Sequence, residues 1–437
     1  MRGISTTELL ALVVTALCLC SPVAARDYVN VKTVQEEIEQ VLNPLIDDDL
    51  LPGFYASVYD EDGLVLELAN GFASEADQLV PASDVLYAMM SMTKPIVSAA
   101  VLKLIEQERL NLDQPVKEFI PEFGSLTVVE DGDLDNPIQP LARDITIRDL
   151  LIHTAGFTYS EDVVGREEVA KIYAELRILA IDDRFDSELG DLSTHVAALL
   201  QLPLVAQPGE KFVYSISIDI LGRVIELVTE RTLDLAMSDL IFRPLGMVDT
   251  HFQVPDQKTS RLAAMYQPRL ATYPIPGRFA RYQPYKRLPS GIKNFGQGSV
   301  GFFSGGGGLV STADDYHRFL NALVFGAGED FLSDDSRQKF FVHQLPPALG
   351  SRALLYNFGA RAVDSGFSFG LGIRLQPDGD PMAEADHDYY FWAGAANTAF
   401  WIDKKNGRFG LFLAQHMPTQ YDRGREIVAA TRKLVAR

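Results

Sequence analysis

A serine and a lysine stand three residues apart in Ser91-Met92-Thr93-Lys94, at the start of an apolar segment. Residues three apart lie on the same face of a helix, so the Lys94 amine can reach the Ser91 hydroxyl. Apolar residues recur at helical spacing behind the pair, which predicts a buried helix. Because burial disfavours the charged amine, we expect a lowered pKa for Lys94 and a base that takes the Ser91 proton near neutral pH. The pair predicts nucleophilic catalysis, although the same spacing also occurs by chance.

Composition bounds the kind of protein that carries this pair. The chain has 437 residues, of which 47% are hydrophobic and 22% are charged, with a formal net charge of −20. These values are typical of a globular protein with one large two-lobed unit or two domains. The acidity argues against nucleic acids and anionic membrane surfaces as partners. Solubility is the simplest interpretation of this acidity, and the sequence leaves the oligomeric state open.

The first 25 residues have the pattern of a secretory signal peptide: Arg2, an apolar run from Leu9 to Cys20, and small residues up to Ala25. The run of about twelve residues is shorter than the ~20 that a membrane-spanning helix needs. We predict cleavage after Ala25, secretion to the periplasm or the medium, and no stable membrane insertion afterwards. An uncleaved anchor is the alternative. Both cysteines, Cys18 and Cys20, lie in this segment, so the mature chain would have no disulfide or thiol chemistry.

The two ends of the chain carry similar secondary-structure patterns. Near the N-terminus, residues 31–46 predict an amphipathic helix, and residues 54–59 and 64–69 predict the strands of a hairpin. Near the C-terminus, residues 398–402 and 409–414 predict two strands, followed by a final helix over 422–436. Elements of like type at both ends indicate that they form one sheet.

The region between these ends is mainly helical in pattern. The predicted organisation of the mature domain, 26–437, is an α/β lobe (about 26–90 and 300–437) with an inserted helical lobe (about 91–299). Residues 268–293 are rich in proline and aromatic residues. A long irregular segment of this kind is predicted to be a lid or a wall of the substrate cleft, with a plain surface loop as the alternative.

Further motifs follow the Ser-Lys pair in a fixed order. They are Leu112-Asp113-Gln114-Pro115-Val116, Leu150-Leu151-Ile152-His153-Thr154-Ala155-Gly156, Pro208-Gly209 with Tyr214-Ser215, Arg243-Pro244-Leu245-Gly246-Met247, and Gly305 to Gly308 with Leu309-Val310-Ser311-Thr312. In these motifs the mature chain resembles the serine β-lactamase and penicillin-binding-protein superfamily, in particular class C β-lactamases and family VIII carboxylesterases. The resemblance implies an α/β fold (an α+β sandwich) with a mainly antiparallel sheet, flanking helices and an inserted all-helical lobe.

The resemblance also implies roles for individual residues. Ser91 would be the acylated nucleophile, Lys94 the base, and Tyr214 the relay that carries the proton to the leaving group. The backbone N–H groups of Ser91 and Ala395 would form an oxyanion hole for the tetrahedral intermediate. This scheme uses no metal and no cofactor.

Two departures from the family pattern bear on the substrate. Trp392, in Trp392-Ala393-Gly394, stands where β-lactamases and peptidases usually carry a lysine or another polar residue, and indole offers one donor and no charge. Ile216 stands in the place of the asparagine of the Tyr-x-Asn pattern. We therefore assign Trp392, Gly394 and Ile216 to substrate binding, and neutral apolar esters are favoured over β-lactams or peptides.

A competing motif is Gly366-Phe367-Ser368-Phe369-Gly370, which matches the nucleophile elbow of α/β-hydrolases, with Asp386 and His416 in the matching order. That elbow is a strand turning sharply into a helix, whereas alternation predicts one continuous strand over Phe367–Leu375. We therefore interpret Ser368 as a residue inside a strand, and His153 as a structural hydrogen-bonding residue.

Two further patterns are read as structural. Asp386-His387-Asp388 is interpreted as a solvated loop rather than a zinc site. The glycines at Gly305–Gly308 lack the Lys-Ser/Thr pair of a phosphate loop, and are interpreted as close backbone packing beside the active site.

Together these patterns predict a secreted serine hydrolase that cleaves carboxylic esters through an acyl-enzyme at Ser91, which water then hydrolyses. A β-lactamase or a D-amino-acid peptidase is the enzymatic alternative. An acyltransferase, in which an alcohol replaces water, would use the same scaffold. A non-catalytic relative that binds a ligand in the same pocket is an alternative from a different class.

Overall fold

The secondary structure is taken from a computed structural model, which describes residues 22–130, 133–159, 169, 191–268, 285–287, 303–328, 330–349, 364–376, 379–417 and 424–434. The helices in this part of the chain are α1 Pro22–Leu42, α2 Pro44–Asp47, α3 Thr93–Glu106, α4 Ile147–Leu151, α5 Leu192–Leu199, α6 Ser217–Thr229, α7 Leu233–Met237, α8 Arg243–Leu245, α9 Ala313–Phe325, α10 Asp334–Gln338 and α11 Gly424–Thr431. The strands are β1 Gly53–Asp60, β2 Gly63–Gly71, β3 Tyr87–Ala88, β4 Thr127–Val128, β5 Gln139–Pro140, β6 Tyr266–Pro268, β7 Tyr285–Arg287, β8 Val310–Ser311, β9 Ser365–Phe367, β10 Gly372–Leu375, β11 His387–Gly394, β12 Thr398–Asp403 and β13 Arg408–Leu413.

A seven-stranded sheet of order β2-β1-β13-β12-β11-β10-β9 joins the two ends of the chain. Its neighbouring strands are all antiparallel. The N-terminal hairpin β1–β2 pairs with the C-terminal strand β13, with Tyr55 opposite Leu413. The predicted single sheet built from both ends is therefore confirmed, and so is the predicted α/β class with a mainly antiparallel sheet. The boundaries of the two predicted lobes stay a prediction.

Strand β1 shows how the sheet separates two apolar layers. Alternate side chains of a strand point to opposite faces. Phe54 and Val58 pack in an apolar cluster with side chains of α1 and α11. Tyr55 and Tyr59 pack in the larger core, with side chains of α3, α6 and α9. The terminal helices α1 and α11 thus cover one face of the sheet, and α3, α6 and α9 pack on the other.

Helix α3 is the buried helix that the apolar repeat predicts. Its residues from Thr93 to Leu102 are all buried. The helix begins at Thr93, and Ser91 lies just before it in a 3₁₀ turn, Met90–Met92. Side chains three residues apart nearly eclipse one another in a 3₁₀ turn, so Ser91 and Lys94 still lie on the same side.

The predicted continuous strand over Phe367–Leu375 is wrong. Strands β9 and β10 pair with each other as a hairpin, with Phe367 opposite Gly372. The chain reverses between them, where Gly370 has a φ of +88° that favours glycine. The alternating pattern continues through both arms, so it does not reveal the turn. Ser368 lies in this turn, not in a strand and not at a strand-to-helix elbow, and its hydroxyl donates to the Phe340 carbonyl at 2.6 Å.

Some predictions concern residues outside the described part of the chain. Residues 1–21 of the predicted signal peptide lie there, and the predicted cleavage point after Ala25 falls within α1. Most of 268–293, the predicted lid, also lies outside it. The described part consists of Pro268, the last residue of β6, and residues 285–287, which form β7 and pair with β6. Among the described residues, no helix combines the length and the apolar character needed to cross a membrane.

Candidate active site

The Ser91 hydroxyl is presented by a strained turn. Met90, the preceding residue, has a φ of +50°, which is unusual for a residue other than glycine. Met89, Met90 and Met92 are buried, whereas Ser91 is partly exposed. Strain of this kind persists only where the surrounding structure holds the turn in place. The result is an accessible hydroxyl on an otherwise buried stretch of backbone.

Lys94 is fully buried and points back at Ser91. Its side chain has 0% exposure. The Nζ atom donates to Ser91 Oγ at 3.2 Å, to Tyr159 Oη at 3.0 Å and to the Gly306 carbonyl at 2.6 Å. An ammonium carries three N–H donors, and these contacts take one each. The burial that the sequence argument requires of Lys94 is therefore present, and the amine is fixed beside the hydroxyl.

Tyr214, the predicted proton relay, lies against the same amine. Lys94 Nζ sits over the Tyr214 ring, 4.8 Å from its centroid, in cation–π contact. The tyrosine comes just before α6, on a segment held by a hydrogen bond from Val213 N to His153 O. The structure thus brings Ser91, Lys94 and Tyr214 together, and the relay role stays a prediction.

Tyr159 is a site residue that the sequence analysis missed. Its hydroxyl bonds Lys94 Nζ at 3.0 Å across a separation of 65 residues. It lies three residues beyond Gly156, which has a φ of +89°. A Cβ on Gly156 would lie 2.1 Å from the Ala206 carbonyl oxygen, so this turn requires glycine. Its place right after the Leu-Leu-x-His-Thr run was the one available signal. Tyr159 gives Lys94 a polar contact that the apolar side chain of Ile216 cannot give.

His153 supports Tyr214 from behind. Its ring centroid lies 4.7 Å from that of Tyr214, and its Nδ1 accepts a hydrogen bond from Ser215 N at 3.3 Å. Burial, and then the nearby charge of Lys94, hold the pKa of His153 well below its usual value, so the imidazole is neutral. These contacts support the structural role predicted for His153.

The end of β11 packs directly on the residues that precede the nucleophile. A Cβ placed on Gly394 would lie 2.3 Å from the Met89 carbonyl oxygen and 2.3 Å from Thr398 Oγ1. Only glycine fits this approach, and Thr398 Oγ1 also donates to the Met89 carbonyl at 3.1 Å. The residue after Gly394 is Ala395, which packs against the apolar cluster that contains Met90. The oxyanion role of the Ser91 and Ala395 N–H groups stays a prediction.

The predicted substrate-binding residues differ in position. Trp392 is 6% exposed and packs edge-on against Tyr214, with ring centroids 5.5 Å apart. It also contacts Phe367 at 5.3 Å, so the rings of Trp392, Tyr214 and Phe367 form an aromatic cluster next to Lys94. Ile216 lies at the start of α6 with 0% exposure. Contact of Trp392, Gly394 and Ile216 with a substrate stays a prediction.

The glycine run forms a tight turn on the far side of Lys94. Gly308 N donates to the Ser304 carbonyl at 2.9 Å, and Leu309 N donates to Thr93 Oγ1 at 3.1 Å. A Cβ on Gly305 would lie 2.6 Å from the Ile218 carbonyl. The interpretation of this run as close backbone packing is confirmed.

The acidic segment around His387 is not the solvated loop that the sequence suggests. His387 begins β11 and is buried, with Nε2 2.8 Å from the Pro381 carbonyl and Nδ1 2.9 Å from Tyr390 Oη. Asp388 pairs with Arg432 at 2.9 Å. No group of three or more His, Cys, Asp or Glu side chains suited to a metal occurs among the residues that the structure describes.

An antiparallel sheet with helices on both faces, and a partly exposed serine next to a buried lysine, are the features expected of a serine hydrolase with the β-lactamase fold. The family model described as Beta-lactamase matches residues 38–432, and the chain belongs to this family. The chain is 30% identical over 390 residues to Protein Rv1367c of Mycobacterium tuberculosis, with coverage of 86% of this chain and 89% of that protein. It is 28% identical over 391 residues to Esterase EstB of Burkholderia gladioli, covering the same shares.

A solved structure described as "EstCE1, a hydrolase with promiscuous acyltransferase activity" has the same fold. It matches with a TM-score of 0.73 and 23% identity, over 93% of this chain and 99% of that chain. The fold predicted from the motifs is therefore confirmed.

Proposed function

We propose that this protein hydrolyses carboxylic esters through an acyl-enzyme formed at Ser91. The observation that carries the proposal is the 3.2 Å contact between the fully buried Lys94 Nζ and the partly exposed Ser91 Oγ. A nucleophile within hydrogen-bond reach of a base, with the base held by further groups, is the arrangement that activates a serine. The similarity to Esterase EstB supports an ester as the substrate.

The reaction follows from these positions. Neutral Lys94 takes the Ser91 proton as Oγ attacks the ester carbonyl carbon, and the resulting oxyanion is held by the backbone N–H groups of Ser91 and Ala395. The tetrahedral intermediate collapses with cleavage of the ester C–O bond. The alcohol leaves with a proton that passes from Lys94 through Tyr214. Water then attacks the acyl group and restores the Ser91 hydroxyl.

The aromatic cluster supports neutral esters as substrates. Trp392, Tyr214 and Phe367 bring rings and no formal charge to the side of Lys94. A substrate carboxylate would be desolvated there without a cationic partner from these side chains, which is costly. The proposal extends to secretion, which the apolar N-terminal run and the small residues before Ala25 support.

The test compares wild type with Ser91→Ala and Ser368→Ala on p-nitrophenyl butyrate and on nitrocefin. We expect ester turnover that only Ser91→Ala abolishes, and a butyryl adduct on the Ser91 peptide by mass spectrometry. Ser368→Ala is the matched control, because its hydroxyl is buried and bonds the Phe340 carbonyl. Loss of turnover in Ser368→Ala instead would contradict the proposal. Fast nitrocefin turnover would favour a β-lactamase, and no turnover of either substrate would favour a ligand-binding relative.

Acyl transfer is the second candidate, and the similarity to EstCE1 favours it. An alcohol that enters the same position as water would accept the acyl group from Ser91. Adding increasing amounts of a primary alcohol to the ester assay separates the two. Transfer predicts that butyrate is replaced by the new ester as the main product, whereas hydrolysis predicts butyrate throughout.

A further inference from the structure

A buried carboxylate lies on the other side of Gly306 from Lys94. Asp219, in the first turn of α6, has 0% exposure. Its Oδ1 accepts a hydrogen bond from Ser304 Oγ at 2.5 Å and another from Gly306 N at 3.0 Å. In the described part of the chain no ion pair involves Asp219. Because an unpaired buried carboxylate is costly, its presence at this place calls for a reason.

Gly306 joins this carboxylate to the lysine. Its N–H group bonds Asp219, and its carbonyl accepts from Lys94 Nζ at 2.6 Å. A Cβ on Gly306 would lie 2.3 Å from Asp219 Oδ2, so the carboxylate packs directly on this glycine. The position of Asp219 therefore sets the position of the carbonyl that holds Lys94.

The side chains in the hydrogen bonds and ring contacts described above for Lys94 carry no formal negative charge. Ser91 and Tyr159 contribute hydroxyls, Tyr214 contributes its ring face, and the ring of His153 packs behind Tyr214. A buried ammonium needs compensation for its lost hydration. Asp219 supplies negative charge from the far side of Gly306.

We propose that Asp219 is a positioning residue that holds Lys94 toward Ser91 through Gly306. The inference rests on the proposed function, because it concerns the base of that reaction. Asp219 does not touch the substrate. It fixes the glycine turn, and the turn fixes the amine, so that the Lys94 Nζ–Ser91 Oγ contact is formed before substrate arrives.

Two substitutions of Asp219 separate geometry from charge. Asp219→Ala removes both the charge and the acceptor for Gly306 N, and a base displaced by about 1 Å costs on the order of 100-fold in rate. We expect kcat per active site to fall about 100-fold with KM within about twofold of wild type. Asp219→Asn keeps an acceptor oxygen, so we expect it to restore kcat to within about tenfold. Rates are normalised to the sites that a fluorophosphonate labels.

The pH profile is the second readout. Lys94 must lose its proton to act as a base, and a nearby negative charge favours the charged amine. Removing that charge in Asp219→Asn should move the acidic limb of the kcat/KM profile to lower pH. A purely structural role for Asp219 would change the yield of folded protein and leave this limb in place.

Asp315→Asn is the matched control. Asp315 is also a buried carboxylate, 1% exposed, and it accepts hydrogen bonds from Asp249 N at 2.6 Å and Thr250 Oγ1 at 3.0 Å. Unlike Asp219 it pairs with an arginine, Arg318, at 2.7 Å. The hydrogen bonds and the ion pair described for Asp315 join it to Asp249, Thr250, Thr312 and Arg318, and not to the glycine turn. We expect Asp315→Asn to lower thermal stability and to leave kcat and the pH profile unchanged.

The kcat and the pH profile of the Asp219 variants test the role of this carboxylate. Wild-type kcat and pH profile in the Asp219 variants would overturn the inference. If the Asp219 variants do not fold, Ser304→Ala decides, since it removes the 2.5 Å hydrogen bond to Asp219 and keeps the charge. An approximately tenfold lower kcat supports the inference, and a wild-type kcat overturns it.

Failure of the proposed function has a different signature. Ester turnover that persists in Ser91→Ala would contradict that function without any Asp219 variant. A crystal structure of Asp219→Ala or of Ser304→Ala would then decide the inference. A Lys94 Nζ–Gly306 O contact still at its present 2.6 Å would overturn it, and a broken contact would support it.

Discussion

Lys94 places a charge-bearing amine where folding alone would favour an apolar side chain. Taking an ammonium out of water costs several kcal/mol, more than the ~1–3 kcal/mol lost when one buried acceptor loses its donor. We therefore expect Lys94→Met to reduce kcat/KM at least about 1,000-fold while the melting temperature stays the same or rises. Ester kinetics and thermal unfolding of the same preparation measure both effects.

The control for Lys94→Met is Lys103→Met on the same helix. Lys103 is partly exposed and only loosely paired with Glu106, at 3.8 Å. Activity and stability should both stay close to wild type in Lys103→Met. A Lys94→Met protein that keeps its activity would remove Lys94 from the mechanism, and one that unfolds would show that its hydrogen bonds outweigh its desolvation.

Two tyrosines contact Lys94, and their hydroxyls should have unequal effects. Tyr159 Oη bonds Nζ directly at 3.0 Å, whereas Tyr214 turns its ring face to the amine. If Tyr214 relays the proton, Tyr214→Phe loses a general acid–base step worth 100-fold or more. Tyr159→Phe loses one hydrogen bond that orients the lysine, so we expect about a tenfold lower kcat.

Both changes keep the ring and its packing, so kcat compares them directly. Tyr266→Phe controls for loss of the hydroxyl of a buried tyrosine, since Tyr266 is 1% exposed and its Oη accepts a hydrogen bond from Glu75 N at 2.9 Å. The reverse order of effects would assign the relay to Tyr159. Sequence reasoning did not find Tyr159, because its contact with Lys94 depends on how a turn 65 residues away packs on α3.

At the scale of elements, strand β11 must end against the turn that carries Ser91. Gly394→Ala would place a Cβ 2.3 Å from the Met89 carbonyl, so the strand end or the turn has to move. We expect kcat/KM to fall about 100-fold, because oxyanion donors act only when correctly placed, and stability to fall by about 1–3 kcal/mol.

Gly124→Ala is the control for this change, since its Cβ would meet no atom nearer than Lys117 Cδ at 3.7 Å. Its activity should match wild type in the same ester assay. Wild-type kcat/KM in Gly394→Ala would mean that the strand end does not carry the oxyanion hole, and would withdraw Ala395 from the site.

The sequence predicts an element well where apolar residues give way to polar residues at its end. The hairpin predicted at 54–59 and 64–69 is observed as Gly53–Asp60 and Gly63–Gly71, because the polar turn interrupts two apolar runs. The β9–β10 hairpin was missed, because its turn is as apolar as its arms and the reversal depends on the backbone of Gly370. The local pattern of apolar and polar residues shows where polarity changes, but it does not show where the chain reverses direction.

At the scale of the whole molecule, the order of the motifs along the chain predicts the fold. The contacts within the candidate site depend on how distant segments pack together. Strands from both ends pair in the central sheet, as their similar patterns predict. The contacts around Lys94, by contrast, come from segments around Ser91, Tyr159, Tyr214 and Gly306. No pattern within one segment shows how these four approach each other, which is why the glycine turn appeared only as a packing motif.

The net charge of −20 should act on substrate choice together with the aromatic cluster. A negatively charged ester meets repulsion from the whole protein on approach. At the proposed site it then meets an aromatic cluster, Trp392, Tyr214 and Phe367, whose side chains include no cation. We expect kcat/KM for p-nitrophenyl hemisuccinate to be at least about tenfold lower than for p-nitrophenyl butyrate at low salt. Added salt screens the long-range part within about 10 Å at 0.1 M, so the gap should narrow as ionic strength rises.

The same assay tests how a positive charge at position 392 would change the choice of substrate. Trp392→Lys introduces a cation where the β-lactamases and peptidases of the family usually carry a lysine or another polar residue, so it should raise the hemisuccinate rate relative to the butyrate rate. Trp392→Phe keeps an aromatic ring and no charge, and should leave that ratio unchanged. If the wild-type protein prefers the hemisuccinate, the site binds a substrate carboxylate. The proposal of neutral esters would then be wrong, and the substrates of β-lactamases and peptidases would be favoured.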